Sequence, residues 1–147
     1  MVDIDFKEIP TAAYEALNAC RQDAGKNSDR LEDAGEQVRD RLKAQKNQAT
    51  ELYNYLATWG LLRLMAEELA IDNGQAQKKA AKQGRKEVMK KFFEKLEEIS
   101  GQRQDLKTVS GLSGDQYLAL SGLALMLSKE FGFWANAVYH DIQGGSE

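Results

Sequence analysis

Apolar side chains recur through the last third of this chain at a spacing that only a helix accommodates. Tyr117, Leu120, Ala124, Leu127, Phe131, Trp134 and Val138 follow one another at intervals of 3, 4, 3, 4, 3 and 4 residues. That is the heptad-like stripe of a helix packed nearly parallel to its neighbours in a bundle. Ser121, Ser128, Gly132 and Ala135 run beside it, a line of small residues that permits close helix approach. Similar three–four spacing links Leu52, Leu56, Trp59, Leu62, Ala66 and Leu69, with Leu61, Leu64 and Met65 widening the stripe. It predicts a single central helix from Ala49 onward. Val88, Met89, Phe92, Phe93, Leu96 and Ile99 make a further amphipathic face.

Alternation of the strand type is missing, Pro10 is the sole proline, and strong helix formers dominate the 147 residues. The expected fold is therefore all-α: one domain spanning residues 1–147, a bundle of about four to five helices, with frayed termini at 1–9 and 143–147. Pro10 suits the first turn of a helix running to about Asp23, because its missing N–H costs nothing there. Asn27 or Ser28 caps a second helix, whose first part, Leu31 to Gln48, is mostly polar with sparse apolar contacts at Leu31, Val38 and Leu42. Asp72–Gly74 and Ser100–Gly101 read as stop signals. Ser113 or Asp115 starts the last helix.

Charge is unevenly distributed. Residues 75–95 hold Lys78, Lys79, Lys82, Arg85, Lys86, Lys90, Lys91 and Lys95 against only Glu87 and Glu94. That local excess of six leaves −9 on the remainder of a chain whose formal net charge is −3. On one continuous helix, Lys78, Lys82 and Arg85 would fall on the same side as Met89, Phe92 and Leu96. A buried face does not accept such a continuation, so the segment before about Lys86 is expected to leave the core between two core helices, with Gly84 as its break point. Two readings of the exposed cations stand side by side. One is a lysine-rich solvated surface. The other is a sequence-independent phosphate-contact surface formed by Lys78, Lys79, Lys82, Arg85, Lys86, Lys90 and Lys91. Arg39, Arg41, Lys43 and Lys46 form a second, weaker cluster that reads as a solvated face.

Catalytic constellations are not found. His140 is the single histidine, and its neighbour Asp141 points elsewhere on a helix. A di-metal bundle site needs two Glu-x-x-His units, and "GQAQKKAAKQG" lacks the Gly-Lys-Ser/Thr ending of a phosphate loop. No enzyme, metal or cofactor is expected. Cys20, the only cysteine, reads as a small apolar residue in a reducing setting. The acidic opening "MVDIDFKEIP" carries no leader pattern, and the longest apolar stretch, Tyr117 to Leu127, is too short to span a bilayer. A cytoplasmic protein without a membrane partner is expected. Most aromatics fall on the core stripes. Phe133 lies off them and is a candidate for a partner-facing patch.

Two stretches carry a family resemblance. "LYNYLATWGLLRLMAEEL" (Leu52–Leu69), with Gly60–Leu61 opening an apolar run, resembles the central helix of the small α-helical subunit of Cmr-type, type III-B, CRISPR RNA-silencing complexes. "YLALSGLALMLSKEFGFWANAVY" (Tyr117–Tyr139) is similar to that family's last helix, with Tyr117, Ala124–Leu125 and Trp134 in similar order. Trp59 stands where the family often has Asn, and the usual Leu-Pro ahead of it is missing. The likeness covers the C-terminal two thirds. It implies a non-enzymatic subunit whose copies stack along the effector beside the backbone subunits and line the channel where target RNA pairs with guide RNA. The partners so implied are other effector subunits, copies of itself, and guide/target RNA bound independently of sequence. The family offers no short binding motif, so the basic residues rest on charge alone. A helical protein–protein interaction or adaptor module without a nucleic-acid role is the alternative.

Overall fold

The structure, a computed structural model, describes residues 5–26, 33–71 and 79–142. Those residues form six helices joined by short turns, with no strand among them: α1 (Glu8–Lys26), α2 (Asp33–Trp59), α3 (Leu61–Ile71), α4 (Lys79–Ser100), α5 (Leu106–Ser110) and α6 (Gly114–Val138). All six feed one hydrophobic cluster. The long helices α1, α2, α4 and α6 form the bundle, and α3 and α5 pack beside each other at its side.

Local chemistry explains most boundaries. Pro10 lies in the first turn of α1, where no earlier carbonyl is in reach of an N–H. Glu8 and Ile9, which the sequence reading left in a frayed terminus, already belong to that turn, and Ile9 is buried. Gly101 ends α4 at φ +71°, and its N–H donates to the Glu97 carbonyl. Ser113 caps α6 through a reciprocal pair: its hydroxyl accepts from the Gln116 N–H while the Gln116 side chain accepts from the Ser113 N–H. The expected caps at Asn27 and Ser28 and the stop at Asp72–Gly74 lie outside the described residues.

The central helix expected from Ala49 onward is divided between α2 and α3. Gly60 takes φ +90°, a conformation that costs other residues strain, and the chain turns there. The break resets the helical phase. Leu61, Leu64 and Met65 become the buried face of α3, whereas Ala66 and Leu69 are exposed; Trp59, the last residue of α2, is exposed at that helix's end. The Tyr117 hydroxyl accepts from the Leu62 N–H at 3.4 Å, partnering one of the unpaired donors at the start of α3. The connection between α4 and α6 contains α5, capped by Asp105, which accepts from the Thr108 N–H.

The largest correction concerns Gly84. It is not a break: α4 runs unbroken from Lys79 to Ser100, and Gly84 is buried at its crossing with α2. Arg41 lies beside Gly84, Gln45 beside Glu87 and Gln48 beside Met89, so α2 and α4 run in the same direction. The half of α2 that meets the basic part of α4 is the polar half. Beside Leu42 and Ala44 it buries the polar side chains of Arg41, Gln45 and Gln48. Arg85, which would have met an apolar wall, instead donates from Nε to the Gln48 side-chain oxygen Oε1 at 2.9 Å. Arg41 forms a bidentate ion pair with Glu87, and Gln45 donates to both Glu87 (2.9 Å) and the Cys20 carbonyl (3.0 Å). The Tyr139 hydroxyl completes the network by donating to Gln45 at 2.6 Å. Every polar group buried here has a partner, which is the condition under which a polar crossing is tolerated.

A Cβ on Gly84 would lie 2.4 Å from the Arg41 carbonyl oxygen and 3.0 Å from Ala44. Gly84→Ala is therefore expected to destabilise. The gain of about 1 kcal/mol in helix propensity is outweighed by overpacking of roughly 1–3 kcal/mol or more, because backbone atoms must move apart. Gly35→Ala, where a Cβ meets nothing within 4 Å, is expected to be neutral or slightly stabilising. Urea denaturation of the two variants measures the contrast.

Candidate functional site

Unbroken, α4 presents the predicted cations in a fixed geometry. Lys79, Lys82, Lys86 and Lys90 follow at intervals of 3, 4 and 4 residues, so they share one stripe over about 16 Å of helix. Lys79, Lys86 and Lys90 are exposed and Lys82 is half-buried. The other predicted cations diverge from this stripe. Arg85 turns toward α2 and is held by Gln48. Lys91 is half-buried and paired with Glu94 at 3.3 Å, and Lys78 lies outside the described residues. Lys95 reaches Glu15 of α1 at 3.5 Å. Glu87, one of only two acids in the basic stretch, is withdrawn from the stripe by its pairing with Arg41.

Charge along α4 opposes the helix dipole. Its first turn opens on Lys79 and has no acid, and its last turn holds Glu97 and Glu98 and has no base. The dipole favours the reverse order by about 0.3–1 kcal/mol per charge near an end. Helix stability therefore does not account for the arrangement.

The second basic cluster is not one surface. Arg41 is buried against Glu87, and the Lys46 ammonium donates to the Ile142 carbonyl at 2.6 Å. Arg39 and Lys43 are exposed. His140 is exposed, with Nδ1 3.2 Å from the Ala137 carbonyl. No group of three or more His, Cys, Asp or Glu side chains suited to a metal ion occurs among the described residues, and no helix there is long and apolar enough to cross a membrane. Cys20 is buried, and burial together with the negative charge of Glu87 pushes its thiol up to about 12.

Phe133 is exposed, as its off-stripe position suggests, and stacks edge-on against Trp134, which meets Tyr14 in the same way. Trp59 was expected in the core and is instead 53% exposed, beneath the guanidinium of Arg63 at 4.8 Å. Leu118 and Met126 are also exposed on α6. The signal for these residues was available: α6 is apolar on more than the face its main stripe accounts for. Compared with family models, curated proteins and solved structures, the chain matches none.

Two titrations follow from this geometry. Cys20 is expected to be inert to thiol reagents at pH 8 until the chain is unfolded, which a colorimetric thiol assay with and without denaturant reads. The bidentate bond from Arg21 (2.6 and 2.7 Å) holds the exposed Asp141 carboxyl down to about 2. A depressed carboxyl contributes stability above its unfolded value of about 3.9 and loses it as pH falls through the folded value. Asp141→Asn is thus expected to be less stable than the native chain at pH 6, with the difference narrowing as pH is lowered toward about 2. Denaturation midpoints across that range measure it.

Proposed function

We propose that this chain is a non-catalytic structural subunit of a type III CRISPR ribonucleoprotein effector, acting in the cytoplasm. In this reading it stacks with copies of itself and with backbone subunits and touches guide/target RNA through the lysine stripe of α4. The observation that carries the RNA contact is the alignment of Lys79, Lys82, Lys86 and Lys90 on one side of an unbroken helix. A row of cations along one helix side suits a polyanion, whose binding releases counterions for each phosphate neutralised. Such a stripe reads backbone rather than bases, since no exposed aromatic interleaves with it. The family assignment rests on the resemblance of Leu52–Leu69 and Tyr117–Tyr139. Two of the positions that carry it, Gly60 and Tyr117, meet in the fold, which supports treating them as one feature.

A second reading is a helical interaction module with no nucleic-acid role. The exposed apolar side of α6, with Leu118, Met126 and Phe133, favours it.

Labelled single-stranded RNA followed by fluorescence anisotropy across a salt series separates the two. The native chain is expected to bind with a log–log salt slope of about −3, from four phosphate contacts at roughly 0.7 each. Changing Lys79, Lys82, Lys86 and Lys90 together to Glu is expected to abolish binding with the helical circular dichroism intact. Arg39→Glu with Lys43→Glu, on α2, is expected to leave the slope unchanged. Absence of binding by the native folded chain, or equal loss in both variants, would remove the α4 contact and leave the interaction module.

A further inference from the structure

The outward side of α6 has a repeat of its own. Asp115, Ala119, Gly122, Met126, Lys129 and Phe133 follow at intervals of 4, 3, 4, 3 and 4 residues, and all six are exposed. Leu118, beside them, is the most exposed large apolar residue at 71%. A heptad seam is the pattern of a helix that packs against another helix. α6 packs into the bundle through the seam from Tyr117 to Val138, and the second seam stays exposed among the described residues, with Lys129 resting over Tyr53 of α2.

Its residues are arranged symmetrically about Gly122. Leu118 and Met126 lie four residues to either side of it, and Asp115 and Lys129 lie seven residues to either side. When two copies of α6 meet antiparallel with Gly122 at the two-fold axis, Leu118 of each faces Met126 of the other. Each Asp115 then faces a Lys129. The residue at the crossing point has no side chain, so the backbones can approach. Parallel pairing would set Asp115 against Asp115 and Lys129 against Lys129. Sliding the antiparallel pair by one heptad either way separates the opposite charges. Each α6 Phe133 reaches the level of the other copy's Gly111, over the turn that precedes the helix.

We infer that the outward face of α6 is an isologous dimer interface, self-complementary about Gly122, and that its occupant is a second copy of this chain. The lysine over Tyr53, with its ammonium 5.2 Å from the ring, stays exposed and free to swing to the opposite carboxylate. One helix against one helix buries little, below about 1,200 Å² in total, the class of weak and transient complexes. The dimer is accordingly concentration-dependent. It requires no RNA, so its failure and that of the α4 reading are separate.

Sedimentation velocity of the full chain over a range of concentrations is the test. The native chain is expected to shift from monomer to dimer as concentration rises. Asp115→Lys or Lys129→Asp alone is expected to weaken the dimer roughly tenfold or more, since each opposes like charges. The double exchange is expected to restore it. A Cβ at Gly122 meets nothing within the monomer, so Gly122→Cys is expected to fold normally and to form an intermolecular disulfide on mild oxidation. Ala137→Cys, exposed on the same helix but away from the axis, is expected to cross-link far more slowly. A chain that stays monomeric, with the two cysteine variants cross-linking alike, overturns the inference and assigns the face to a different protein. A dimer indifferent to both charge changes overturns it too, by moving the contact to another surface.

Discussion

The crossing of α2 and α4 at Gly84 is the contact on which the remaining arrangement depends. Two backbones approach there closely enough that a single added methyl would strike the Arg41 carbonyl. The approach brings Arg41, Gln45 and Glu87 within hydrogen-bond distance, and Tyr139 reaches the same network from the end of α6. Three segments distant in sequence are thereby tied together by polar bonds of defined geometry. A buried ion pair of this kind adds little net stability, because desolvation offsets the attraction. What it supplies here is register: a slip along α2 would leave a buried guanidinium without its carboxylate.

That register decides where the cations of α4 go. With Gly84 pressed on α2, the helix is oriented so that Arg85 meets Gln48 and Glu87 meets Arg41, while Lys79, Lys86 and Lys90 are left exposed. The polar first half of α2 and the basic first half of α4 are each poor candidates for burial. Together they satisfy one another. The same contact that solves the burial problem withdraws an acid from the outer surface and leaves the lysines aligned on it.

Much of this was legible in single segments. Val88, Met89, Phe92, Phe93, Leu96 and Ile99 are all buried as their spacing indicates, and Gly101 and Ser113 end and start helices through their own backbone and side-chain chemistry. Where the reading failed, the cause was non-local. Gly84 looked like a break because glycine is a poor helix former; its role as a contact point requires knowing that Arg41 lies opposite. Trp59 and Leu69 shared a stripe with Leu52 and Leu56 only if the helix continued through Gly60. The change of phase at φ +90° moved Leu69 into solvent, and Trp59, the last residue of α2, is exposed where that helix ends. The lysines of the candidate site were identifiable by charge, but Arg85 and Lys91 left the set once their partners, Gln48 and Glu94, were in place.

Sequence alone determined the all-helical class, the buried faces of α4 and α6, the caps at Ser113 and Gly101, and the concentration of positive charge between residues 75 and 95. Each follows from periodicity, propensity or composition, which act over a few turns of chain. Tertiary structure alone decided that α4 is unbroken, that Arg85 turns to Gln48 while Lys79, Lys86 and Lys90 are exposed, and that a second face of α6 is exposed among the described residues. Those outcomes depend on which surfaces meet. A polar side chain is acceptable in the interior only where another element brings a matching group to it, and no local pattern encodes that meeting.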